Sequence, residues 1–68
     1  MKNKIAELRE EYGISQEKLA KELGISRPYL SGIETGKVSN PGGKIMLKIA
    51  KKFKRGVETV FFDESNYV

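Results

Sequence analysis

Glycine cuts this chain into short helices. Apolar residues recur three and four apart, the spacing of one helix face, and Gly13, Gly24 and Gly36 each stop a run. Ile5, Leu8 and Tyr12 make the first run. Ser15 stands where an N-cap belongs, ahead of a second run from Gln16 to Leu23. A full capping box would place Glu or Gln at position 18, which is Lys18, so the simple serine cap is expected. Gly24 then supplies the left-handed backbone that a tight turn demands. Ser26 caps a third helix, with Pro28 at its second position, where the missing N–H costs nothing. Leu30 and Ile33 form the inward side of this helix. Breakers mark 37–43 as a loop. A fourth helix is expected from about Lys44 to Phe53, with Met46, Ile49, Ala50 and Phe53 on one stripe. Lys51, Lys52, Lys54 and Arg55 crowd its negative pole. Gly56 punctuates, and a short fifth helix through Val57, Val60 and Phe61 completes the core. No strand alternation of useful length occurs. The expected fold is all-α, a compact bundle of five helices.

With 68 residues there is room for one modest core. Such a core supplies only about 3–5 kcal/mol net, and small domains usually add a staple. This chain has no cysteine and no histidine, which removes disulfides, thiolate metal sites, the commonest metal ligand and the commonest general base. Tight helix packing or oligomerisation remains. No catalytic residue, metal site, cofactor or small-molecule substrate is expected. Ser15 and Lys18 have the spacing of a serine–lysine pair, but an N-cap explains the serine. Gly42, Gly43 and Lys44 fall short of a phosphate-binding loop, which needs its full spacing and a preceding strand. No stretch is apolar enough to span a bilayer. The basic start, Met1 to Lys4, runs into charged residues rather than the apolar run a signal peptide needs, so a cytoplasmic protein is expected. Thirteen Lys and Arg against nine Asp and Glu give a net charge of +4. That excess favours a polyanionic partner.

Gln16 to Glu34 is the most informative stretch. Leu19, Ala20 and Leu23 face inward on one helix, Ile25 fills the turn, and Leu30 and Ile33 face inward on the next. Ala20 is small where two helices would cross, and Gly24 makes the turn sharp. These are the steric requirements of a helix-turn-helix. With Leu30 and Ile33 inward, Arg27, Pro28, Tyr29, Ser31 and Gly32 point outward near the start of the second helix. Helix-turn-helix proteins present such positions to base edges in the major groove. Arg27 is the leading candidate, because a guanidinium grips guanine O6 and N7 with two hydrogen bonds; a phosphate is its other available partner. Pro28 offers at most contact with a thymine methyl and is otherwise a helix starter. Tyr29 offers a ring and a hydroxyl to the duplex, with a core role as the rival. Ser31 can bond a base or a phosphate, or simply be solvated. Gly32 either lets the duplex come close or makes no contact.

The run Gln16–Lys37 resembles the Cro and phage-repressor (Xre-type) helix-turn-helix family. The resemblance extends from Ile5-Ala6-Glu7-Leu8-Arg9 to Val57–Phe62 and rests on coinciding features: Ser15-Gln16, Leu19-Ala20, Leu23-Gly24-Ile25-Ser26, Ile33-Glu34 with Gly36-Lys37, Asn40-Pro41, and Leu47-Lys48-Ile49-Ala50. It implies five helices, the third reading DNA. It implies that Gln16 touches phosphate, at a helix N-terminus where amides attract anions. It also places the loop after the third helix, with Lys37, Ser39, Asn40 and Lys44, on the sugar-phosphate backbone. Taken alone Arg9 reads as another phosphate clamp; the resemblance implies instead an internal ion pair with Glu34. Two residues depart from the pattern. Gly42-Gly43 stands where a capping Ser or Thr usually follows Asn-Pro, so a loose start to the fourth helix is expected. Gly32 lies inside the reading helix, where it costs about 1 kcal/mol relative to alanine.

The expected function is a transcriptional regulator, most simply a repressor, bound to a palindromic double-stranded operator. The rival is a protein–protein module or antitoxin-like partner-binding protein of the same fold. One small module buries only about 600–1,000 Å² on DNA, so a homodimer is expected. Its candidate contacts are Phe62, Tyr67 and Val68. The division is a DNA-binding domain over 1–62 and a tail over 63–68 that either frays or meets the partner subunit.

Overall fold

Serine side chains open two of the helices, and left-handed glycines close three. A computed structural model describes residues 3–62, and the tail with Tyr67 and Val68 lies outside the described residues. Five helices follow in order: α1 (Ile5–Tyr12), α2 (Gln16–Leu23), α3 (Arg27–Thr35), α4 (Gly43–Lys52) and α5 (Val57–Phe61), with no strand among the described residues. The Ser15 hydroxyl accepts from the Lys18 amide at 3.1 Å and opens α2. Ser26 does the same for the Tyr29 amide at 3.1 Å and opens α3. Those bonds satisfy amides that a helix start otherwise leaves bare. At α1 the work falls to Asn3, whose side-chain oxygen accepts from the Ile5 amide at 3.1 Å.

Two boundaries differ from the sequence reading. α4 begins at Gly43, one residue before Lys44, behind Gly42, which sits at φ 89° and has no side chain to cap the helix. The turn that ends α4 is made by Lys54 rather than by Gly56. Lys54 takes φ 54° while the Arg55 amide donates back to the Ala50 carbonyl at 3.0 Å. Gly56 is extended, at φ −73°, and starts α5. A glycine normally fills the left-handed position that ends a helix, because a Cβ there is crowded.

The core is one cluster drawn from all five helices. Ile5 and Leu8 come from α1, Leu19, Ala20 and Leu23 from α2, Leu30 and Ile33 from α3, Met46, Ile49 and Ala50 from α4, and Val60 and Phe61 from α5. Phe53, just past α4, is fully buried among them. Ile14, Ile25, Val38, Ile45 and Val57 pack around the edge. Tyr12 shares the α1 spacing with Ile5 and Leu8 yet stays 44% exposed. Its hydroxyl donates to the Phe53 carbonyl at 2.9 Å, and its ring meets Phe53 edge-on with centroids 5.0 Å apart. An aromatic with a polar tip suits such a rim position. Lys52 pairs with Glu22, and Arg55 with Glu11 at 3.6 Å, joining the end of α4 to α2 and to α1. No described helix is long and apolar enough to cross a membrane.

Candidate nucleic-acid interface

The turn between α2 and α3 sets the direction of everything that follows. Gly24 holds φ 74°, and the Ile25 amide donates to the Ala20 carbonyl at 3.0 Å. Ile25 half-buries against the core, and Ser26 starts α3 at once. Leu30 and Ile33 are buried to 0% and 1% exposure, which fixes the rotation of α3 about its axis. Helix geometry then sends Arg27 and Pro28 outward at the N-terminal end, where both are exposed. Ser31 and Gly32 are half-buried.

A chain of side-chain hydrogen bonds ties Arg27 to the scaffold. Arg9 on α1 grips Glu34 on α3 with two nitrogens, Nε to Oε2 at 2.8 Å and Nη2 to Oε1 at 3.1 Å. Its third nitrogen donates to the Ile14 carbonyl at 3.3 Å. The hydrogen bond to Glu34 raises the Arg9 guanidinium above its ordinary value, against the opposing effect of burial. Gln16 reaches the same carboxylate from α2, its Nε2 donating to Glu34 Oε1 at 3.1 Å. The oxygen of that carboxamide accepts from Arg27 Nε at 3.1 Å. So one glutamine joins a half-buried ion pair to an exposed arginine at the start of α3. A second strut comes from Asn3, whose amide donates to the Ile33 carbonyl at 2.8 Å. Sequence reading gave neither Asn3 nor the Gln16 bridge; only folding brings α1, α2 and α3 together at these side chains.

The other residues singled out by sequence fall into two groups. Lys37, Ser39, Asn40 and Lys44 are all exposed, along the loop after α3 and the first turn of α4. Tyr29 and Gly32 have partners inside the protein. The Tyr29 hydroxyl donates to the Pro41 carbonyl at 3.4 Å, and the residue is 36% exposed. Gly32 faces the Val38 side chain, and its carbonyl accepts from the Val38 amide at 3.0 Å. Phe62 is 51% exposed beside Phe61, with ring centroids 6.4 Å apart. Ser15 and Lys18 meet through a hydroxyl and a backbone amide, which is a helix cap. No cluster able to hold a metal occurs among the described residues.

Residues 5–60 match a family model described as helix-turn-helix. A Bacillus subtilis protein, the uncharacterized HTH-type transcriptional regulator YgzD, is 44% identical over 64 residues, spanning 94% of this chain and 96% of its own. An uncharacterized HTH-type transcriptional regulator of Methanocaldococcus jannaschii is 42% identical over 66 residues, 97% of this chain and 98% of its own. Another, from Archaeoglobus fulgidus, is 40% identical over 65 residues, 94% of this chain and 91% of its own.

Proposed function

This chain belongs to the helix-turn-helix family and is a DNA-binding regulator rather than an enzyme, and from that premise we propose that it represses transcription by docking α3 in the major groove of a specific operator. The observation that carries this reading is the exposed Arg27, held at the start of α3 by Gln16. Gln16 occupies Arg27 Nε, which leaves the two terminal nitrogens to grip guanine O6 and N7. A side chain already held in place gives up less freedom on binding. Pro28 and Ser31, and the ring of Tyr29, complete the groove-facing surface. Gln16 keeps a second amide hydrogen for a phosphate beside α2. Lys37, Ser39, Asn40 and Lys44 take further phosphates and fix the register of α3 on the duplex.

Repression follows from occupancy: a protein seated over a promoter excludes polymerase. The protein works in the cytoplasm as a homodimer, with Phe62 in the subunit contact and two half-sites about 34–36 Å apart. Selection of bound fragments from random duplex DNA tests the reading. The expected result is a two-fold symmetric sequence whose affinity falls with salt at a logarithmic slope near −0.9 per phosphate contact. Failure to enrich any sequence, or binding indifferent to salt, would overturn it in favour of a protein-binding module.

A further inference from the structure

We propose that Gly32 is a socket for Val38, and that this fit latches the loop over 37–41 onto α3, so that the base-facing and phosphate-facing residues move as one body. The inference rests on the DNA-binding reading above and adds to it two positioning residues.

Gly32 needs an explanation, since a glycine inside a helix is less stable than an alanine. Conformation does not supply one. Gly13, Gly24, Gly36 and Gly42 hold positive φ, and Gly32 does not. Space does. A Cβ at position 32 would lie 2.9 Å from Val38 Cγ2, closer than carbon atoms approach without one of them shifting. Gly13, Gly24, Gly42 and Gly43 have nothing within 4 Å of such a Cβ. Val38 is β-branched and stiff, so it does not swing aside freely.

The backbone reinforces the fit. The Val38 amide donates to the Gly32 carbonyl at 3.0 Å. Further along, Pro41 is buried, and its carbonyl accepts the long 3.4 Å bond from Tyr29. The loop therefore turns Val38 and Pro41 inward and leaves Lys37, Ser39 and Asn40 exposed. Tyr29 and Gly32, one turn apart on α3, hold the two inward residues. The polar groups of the loop are thereby set at a fixed distance from Arg27 on the same helix. Docking then orders one surface instead of two, a pre-organisation that favours affinity without a new contact.

Three variants test this: G32A, V38A and G32A/V38A. The double variant adds one methyl at position 32 and removes the two γ-methyls of Val38, among them the one that would clash, leaving the two Cβ atoms 3.9 Å apart, an ordinary contact. Two readouts are needed. Hydrogen exchange at the Val38 amide reports the latch without DNA. Affinity for the duplex that the wild-type chain selects from a random pool, and for its single base-pair variants, reports the consequence. G32A is expected to speed exchange at Val38 and to weaken every duplex alike, by roughly tenfold, with base preference unchanged. G32A/V38A is expected to recover most of both. Unchanged exchange at Val38 in G32A would overturn the latch whatever the DNA result. A double variant that regains slow exchange but binds as poorly as G32A would place Gly32 against the duplex and overturn the positioning role. A wild-type chain that enriches no duplex would overturn the DNA reading, and this inference with it.

Discussion

Glu34 is the residue on which the interface leans. It accepts from Arg9 twice and from Gln16 once, while its side chain is only 7% exposed. Removing it leaves Arg9 half-buried without its partner and releases Gln16 and, through it, Arg27. Breaking a buried pair from one side costs about 3–5 kcal/mol, and the 19% exposure of Arg9 brings this case to the bottom of that range or just below it. Glu34→Ala is expected to lower the urea midpoint by the equivalent of roughly 2–3 kcal/mol. Arg9→Lys keeps the charge but loses the fork, so it should not restore the wild-type value. Because the Arg9 value is raised, its contribution is complete at any pH below the ordinary guanidinium value and is lost only above it. Stability between about pH 5 and 9 should therefore carry no slope from this residue, and a urea series across that range checks it. The arginine–glutamate pair was legible only through family likeness. The path from Glu34 through Gln16 to Arg27 was not, because it depends on side-chain directions that meet across three helices.

At the scale of the elements, most boundaries could be read from the chain. Ser15, Ser26, Gly13, Gly24 and Gly36 act on backbone groups within a turn of themselves, so local sequence suffices. Replacing Ser26 by alanine removes the cap of α3 and is expected to cost about 1 kcal/mol in chemical denaturation. The end of α4 was not legible in this way. Lys54 occupies a left-handed position that sequence reasoning assigns to a glycine, and Gly56 lies two residues later. Lys54→Gly should relieve the crowding and stabilise the fold by about 1 kcal/mol, read as a higher urea midpoint. A loss of stability on that change would mean that the lysine side chain contributes more than its backbone costs. The loop after α3 shows the other limit. Its breakers were plain, but the burial of Pro41 and the fit of Val38 to Gly32 depend on which way the loop folds back.

At the scale of the molecule, thirteen apolar side chains buried among the described residues let five short helices hold one another with no disulfide. Most of that core followed from helical spacing. Tyr12 did not, because spacing alone cannot separate a buried ring from one that reaches the surface with its hydroxyl bonded. On an operator two copies are expected. Sedimentation of the bound complex should give two chains per site, and Phe62→Ser should weaken the pair without changing base preference. A single chain on a symmetric site would remove the dimer and leave the groove-reading untouched. The central claim is that Arg27, aimed by Gln16, reads a base. The most direct test substitutes each base pair of the selected operator and measures affinity with wild type and with Arg27→Ala. Wild type should lose about 1–3 kcal/mol at one G·C pair in each half-site, and the variant should be indifferent at that pair alone. If the two proteins show the same dependence at every position, Arg27 does not read the sequence.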